Sequence, residues 1–179
     1  MGNAPQQCPF CRQPLAVDFG FHALRCSHAS MKAKRTSRHN QLRDSIAVAS
    51  QQWGVPVEKE PKIQPNCDDR GDIRIDFGNA SFILDVSVTD PTAASFVGLQ
   101  MKDQSGSTKK REREKTLKYA KRCETNGFLF YPICFQTLGG LGRNGREWLD
   151  RVKSTAPCLR VWDPKLWGGG SGNSWYVSS

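Results

Sequence analysis

The stretch Asp72-Ile73-Arg74-Ile75-Asp76-Phe77-Gly78-Asn79-Ala80-Ser81-Phe82-Ile83-Leu84-Asp85-Val86-Ser87-Val88 carries alternating apolar residues on both sides of Gly78-Asn79. That pattern reads as a β-hairpin closed by a two-residue turn. The register pairs Phe77 with Ala80, Ile75 with Phe82 and Ile73 with Leu84, and with Val86 and Val88 these form one buried face. One step further along, Asp72 falls opposite Asp85 on the other face. Opposed side chains lie ~5 Å apart at Cβ, where two like charges repel. Such a pair is either solvated on the surface or compensated by a divalent cation, Mg²⁺ or Mn²⁺.

Outward from the hairpin, the chain reads as a mixed α/β domain. Strands are expected near 55–60, 72–77, 80–88 and 127–135. A helix over 37–53 is expected from the spacing of Leu42, Ile46, Ala49 and Trp53, with Ser37 as its N-cap. A basic helix is expected over roughly 109–124. Beyond the Gly139-Gly140 turn come a short helix bearing Trp148, Leu149 and Val152, and a strand at 158–162. The domains expected are a small metal-binding module over 1–30, the main domain over 31–166 and a glycine-rich flexible tail over 167–179.

The N-terminal module has a sharper signature. Cys8 and Cys11 form a CxxC pair, and His22 and Cys26 follow. Two thiolates from a CxxC turn and a later His/Cys pair complete a tetrahedral Zn²⁺ site. His28 competes with His22 for the fourth position. The stretch is too short and polar to fold on a core of its own, so metal is expected to supply its stability and to be structural. The chain has seven cysteines, an odd number that favours metal ligands and free thiols over a disulfide framework.

The net charge of +9 across 179 residues favours a polyanionic partner. Nine Lys or Arg residues fall between Lys102 and Arg122, against Asp103, Glu112 and Glu114. A solvated helix face explains that run equally well. No apolar run approaches the ~20 residues needed to span a bilayer, and the N-terminus lacks a signal-peptide core. An intracellular protein is therefore expected, nuclear if its source is eukaryotic.

An Asp at the start of one strand and a second acid inside the next resembles the PD-(D/E)XK nuclease core. Lys115-Thr-Leu-Lys118-Tyr119 is similar to the KxxKY element of the restriction-like endonucleases of site-specific non-LTR retrotransposons. In that family a CCHC knuckle precedes an Arg-His-Asn or Arg-His-Asp element; here Cys8, Cys11, His22 and Cys26 precede Arg38-His39-Asn40. The family then reads Pro-Asp, about a dozen residues, and Asp; here Gly71-Asp72, twelve intervening residues and Asp85. A strand and a Gly-Gly turn follow the lysine helix, as in Phe130 to Phe135 and Gly139-Gly140. The resemblance spans about residues 8–152, with its elements in the family's order.

The resemblance implies a restriction-endonuclease-like sheet flanked by helices and a metal-dependent endodeoxyribonuclease, belonging either to a larger retrotransposon polyprotein or to a free-standing relative. Asp72, Asp85 and the Val86 carbonyl are implied as ligands of Mg²⁺ or Mn²⁺, and Lys115 or Lys118 as the catalytic lysine. Arg38, His39 and Tyr119 are implied as neighbours of the site. Two departures stand out: Gly71 replaces the proline, and Ser87 occupies the usual lysine position. Lys102, Lys109 and Lys110 are further candidates for that lysine. On the proposed lysine helix, Leu117 and Ala120 are expected to face inward. The alternatives are a DNA-binding module without catalysis, and a nuclease specific for junctions or single strands.

Overall fold

Gly78 takes φ 82, a left-handed conformation that a residue without Cβ adopts freely, and this turns the central hairpin. In the computed structural model, which describes residues 7–15 and 21–155, β2 (Ile73–Asp76) and β3 (Ser81–Thr89) pair antiparallel. Ile73 stands opposite Leu84 and Ile75 opposite Phe82, the register that the alternation requires. The Phe77 amide donates to the Ala80 carbonyl at 3.0 Å, closing the two-residue loop. β1 (Val57–Lys59) joins β2 antiparallel, and β4 (Phe128–Gln136) joins β3 in parallel. The result is a four-stranded mixed sheet in the order β1-β2-β3-β4.

The two-residue repeat of the strands decides the layers. Ile73, Ile75, Phe82, Leu84 and Val86 share one face. They pack against Ile46 and Ala47 of α2 (Ala29–Gln52) and Trp148 and Val152 of α5 (Arg143–Thr155). Ile83 points the other way, to Ile63 and to Tyr119 and Cys123 of α4 (Gly106–Thr125). Each fully buried large apolar side chain contributes ~1.5–3 kcal/mol. Five of the hairpin's residues are at most 1% exposed, so the hairpin is the centre of the core.

Several boundaries differ from the sequence expectation. α2 starts at Ala29 rather than after Ser37, because the His28 side chain accepts from the Ser30 amide and caps it there. Met31-Lys32-Ala33-Lys34-Arg35 consists of good helix formers, but its first turns lack the apolar repeat that marks a buried face. α3 (Ala94–Gln100) was not expected; it buries only Phe96 and leaves Val97 and Leu99 exposed. On α4 the inward stripe runs through Thr108, Glu112, Tyr119 and Cys123, with Lys115 at the same spacing. Leu117, expected inward, is 76% exposed, because it lies off that stripe. Among the described residues no helix is long and apolar enough to cross a membrane. The strand expected over 158–162 and the tail over 167–179 lie outside the described residues.

After β4 the chain turns back at Gly139, and Leu141 forms an isolated bridge with Phe135. Glu112 reaches from α4 to accept the Asn144 amide at 3.0 Å, satisfying an N-terminal donor of α5. Its burial raises its pKa, and the Asn144 hydrogen bond opposes that rise.

Gly71 also has a local explanation. A Cβ there would lie 2.4 Å from Ile83 Cγ2, and the Gly71 amide donates to the Pro61 carbonyl at 3.0 Å. Proline supplies the Cβ and removes the donor. Gly71→Pro is therefore expected to cost about 3 kcal/mol through overpacking and a lost hydrogen bond. A urea titration showing an unchanged midpoint would overturn this account of Gly71.

Candidate active site and metal-binding cluster

Asp72 stands one residue before the β2 ladder begins, and Asp85 lies inside β3. The Asp72 amide donates to the Leu84 carbonyl at 2.9 Å, so the hairpin holds both backbones in place. Asp72 Oδ2 accepts from the Val86 amide at 2.6 Å, and its Oδ1 lies 3.2 Å from His39 Nε2. His39 occurs three residues before Leu42 on α2, one turn before the helix meets the main core.

Asp85 faces α4, as do Ile83 and Thr89 of the same strand. The helix runs back along β3, so its contacts follow in reverse order. Tyr119 and Cys123 meet Ile83, Lys115 meets Asp85, and Ser107 lies 3.2 Å from the Thr89 hydroxyl. Lys115 Nζ sits 3.1 Å from Asp85 Oδ1 and 2.9 Å from Oδ2. Only the Oδ1 contact has hydrogen-bond geometry, so Oδ2 is a buried acceptor without a hydrogen bond among the described residues. Burial raises the Asp85 pKa; Lys115 opposes the rise, and the Asp72 charge adds to it. A buried carboxylate that a second carboxylate destabilises is poised to accept another cation.

Lys118 lies off the inward stripe. Its ammonium donates to the Tyr119 hydroxyl at 2.7 Å and sits 4.5 Å from that ring's centroid, with its pKa raised first by the hydroxyl contact. Tyr119 itself is buried against Ile83, and its ring lies 5.6 Å from Lys115 Nζ. Of the other lysines considered, Lys109 pairs with Asp103 and Lys110 lies 5.4 Å over the Phe96 ring.

A cleft of about 440 Å³ opens beside these groups. Arg35, Arg38 and His39 line it from α2, Arg111 and Lys115 from α4, and Ser87 from β3. Arg38, His39 and Lys115 were singled out in the sequence; Arg35 and Arg111 were not. Arg111 falls four residues before Lys115, and Arg35 four before His39, so helical spacing from the recognised residues finds both.

At the N-terminus, the ligand atoms of Cys8, Cys11, His22 and Cys26 all lie within 4.8 Å of one another. Cys8 Sγ is 3.9 Å from Cys26 Sγ, and Cys11 Sγ is 3.2 Å from His22 Nε2. Thiolates bound 2.3 Å from a tetrahedral ion stand about 3.8 Å apart, so the four can hold a metal ion and the donor set fits zinc. The Cys11 amide donates to the Cys8 sulfur and, with that of Phe10, holds the Cys8 pKa at about 6, favouring the thiolate that a metal needs. For Cys26 the His28 amide works in the same direction, but burial and the neighbouring thiols outweigh it and raise its pKa.

His28 is engaged elsewhere. Its Nδ1 accepts from the Ser30 amide at 3.3 Å, and its ring packs 5.6 Å from Phe10. Cys26→Ala and His22→Ala are each expected to abolish metal binding, while His28→Ala keeps one ion per chain. Elemental analysis checks this, and metal loss in His28→Ala alone would reverse the assignment of His22 and His28.

No protein-family model and no curated protein matches the chain, so what these residues do is argued from their geometry and from the order of motifs along the sequence.

Proposed function

We propose that the chain is a metal-dependent DNA endonuclease of the PD-(D/E)XK type, resembling the restriction-like endonucleases of site-specific non-LTR retrotransposons. The observation that carries this reading is the meeting of Lys115 with Asp85, next to Asp72. The usual lysine position holds Ser87, and the ammonium arrives from a helix on the same face of the sheet. Asp72, Asp85 and the Val86 carbonyl would hold Mg²⁺ or Mn²⁺, which would supply Lewis acidity to the scissile phosphate and acidify a bound water.

The Val86 amide faces the β2 side of β3, and strand geometry directs the carbonyl of the same residue to that edge. The β2 ladder has ended there, which favours Val86 as a ligand. Lys115 orients the attacking water or neutralises charge that develops on the phosphate. His39 holds Asp72 in orientation, and Arg38, with Arg35 and Arg111, positions the DNA backbone in the cleft. Zinc at Cys8, Cys11, His22 and Cys26 is structural in this reading, since four protein ligands leave no open position.

A cleavage assay on duplex, single-stranded and branched DNA tests the proposal. Phosphodiester cleavage that needs Mg²⁺ or Mn²⁺ and stops with chelator is expected. Metal-independent binding without cleavage on every substrate would replace it with the binding-module reading. Cleavage confined to branched or single-stranded DNA would make the enzyme structure-specific.

A further inference from the structure

The metal-binding cluster is joined to the cleft through short, fixed connections. Among the described residues of 7–15 and 21–26, only Cys8 and Cys26 are buried, so these residues bury no apolar side chain beyond the candidate ligands. α1 (His22–Arg25) begins with a metal-ligand candidate and ends at the cleft, where Leu24 forms part of the wall. Arg25 Nε lies 3.4 Å from Asp90 Oδ2, just past the end of β3. Asp90 is fixed in turn, because its Oδ1 accepts from the Thr92 amide at 2.9 Å and the Thr92 hydroxyl at 2.7 Å.

From the other side, Arg35 of α2 donates through Nη1 to the Cys26 carbonyl at 3.0 Å and lies 3.5 Å from that of Leu24. Only Ser27 separates Cys26 from His28, the cap of α2, and α2 continues unbroken to Arg38 and His39. The segment carrying two of the four ligand candidates is thus clamped between Asp90 and the helix that lines the cleft.

We infer that the cluster braces one wall of the nucleic-acid cleft, and that a thiophilic divalent ion bound there sets the positions of Arg35 and Arg38. Arg25 and Arg35 are positioning residues that transmit this occupancy. The inference deepens the nuclease reading and rests on it for the identity of the ligand in the cleft. The mechanical coupling itself needs only the contacts given above. Without the ion, the polar segment loses its fixed shape, the Arg35 acceptors move away and the first turns of α2 lose their anchor.

The test uses the full chain, loaded with zinc or stripped by a chelator, beside Arg25→Gln. Hydrogen exchange is followed by residue range, and binding of a fluorescent DNA duplex is measured without Mg²⁺ or Mn²⁺. Stripping zinc is expected to speed exchange over residues 29–39 at least ~10-fold while β3 stays protected. Duplex affinity should fall ~10-fold, as expected when about one charge-assisted contact is lost. Arg25→Gln should keep one zinc per chain and still bind the duplex more weakly, which a purely structural role for the metal does not predict.

Three results would each overturn the inference: unchanged exchange over 29–39 without zinc, equal loss of protection in β3, or wild-type affinity in zinc-loaded Arg25→Gln. If exchange responds to zinc as expected but the loaded chain binds no duplex, the coupling stands and the nuclease reading falls.

Discussion

On the proposed nuclease reading, Asp72→Ala and Asp85→Ala are each expected to lower the single-turnover cleavage rate by ~10³-fold or more, since each would remove a carboxylate ligand of the cation. Duplex affinity should stay level or rise, because on that reading a negative charge leaves a site that would receive phosphate. The two variants should differ in stability. Asp72→Ala strands the Val86 amide and leaves His39 without its partner, at a cost of about 1–2 kcal/mol. Asp85→Ala removes a charge that burial already disfavours, but it leaves the partly buried Lys115 unpaired. Thermal unfolding measured beside cleavage separates loss of fold from loss of chemistry. Full activity in either folded variant would refute the assignment.

Lys115→Ala is expected to lose ~100-fold in single-turnover rate at saturating enzyme, where binding no longer contributes. Lys118→Ala should lose much less, because its ammonium contacts the Tyr119 hydroxyl rather than Asp85. A pH series supplies a second distinction. Burial raises the Asp85 pKa above the ordinary 3.8, and Lys115 holds that rise in check. Removing Lys115 should raise it further, so that protons compete with metal from a higher pH downward. The acid limb of kcat/KM at limiting metal should therefore move to higher pH in Lys115→Ala and stay put in Lys118→Ala. Equal rates for both variants and wild type would leave these lysines as phosphate contacts and turn attention to Lys102, Lys109 and Lys110.

The hairpin was legible in the sequence because two constraints coincide there. Gly78-Asn79 fixes the turn, and apolar alternation fixes which side chains go inward. The pairing of Ile73 with Leu84 and of Ile75 with Phe82 follows from those two alone, while Asp72 stands one residue beyond the ladder. That Lys115 is the lysine meeting Asp85 was not legible: the sequence left Lys115 and Lys118 as first candidates and Lys102, Lys109 and Lys110 as further ones. The two first candidates sit on the same helix, and the rotation of α4 is set by Tyr119 and Cys123 packing on Ile83, a contact across more than thirty residues of sequence.

Leu117 misled for the same reason: its hydrophobicity suggests burial, yet the inward stripe includes Thr108, Glu112 and Lys115, none of them apolar. The start of α2 was hidden because its first turns face the segment with the Cys/His cluster rather than the core. The contacts of Arg25 with Asp90 and of Glu112 with Asn144 are tertiary, and no local pattern announces them.

Among the described residues, the sheet's two outer strands bear on how these molecules behave when crowded together. β1 is three residues long, and its Glu58 and Lys59 are exposed charges, so it makes a poor template for another strand. On the far side, the Gln136 amide donates to the Gly140 carbonyl, and the Gly142 amide donates to the Cys134 carbonyl. Those outward groups are therefore already paired within the chain. By the two-residue repeat, the next outward position along β4 is Pro132, which has no N–H to offer. A second copy approaching this edge meets a missing donor beside groups already engaged. Among the described residues, the stretch 132–136 is consequently a poor template for a further strand.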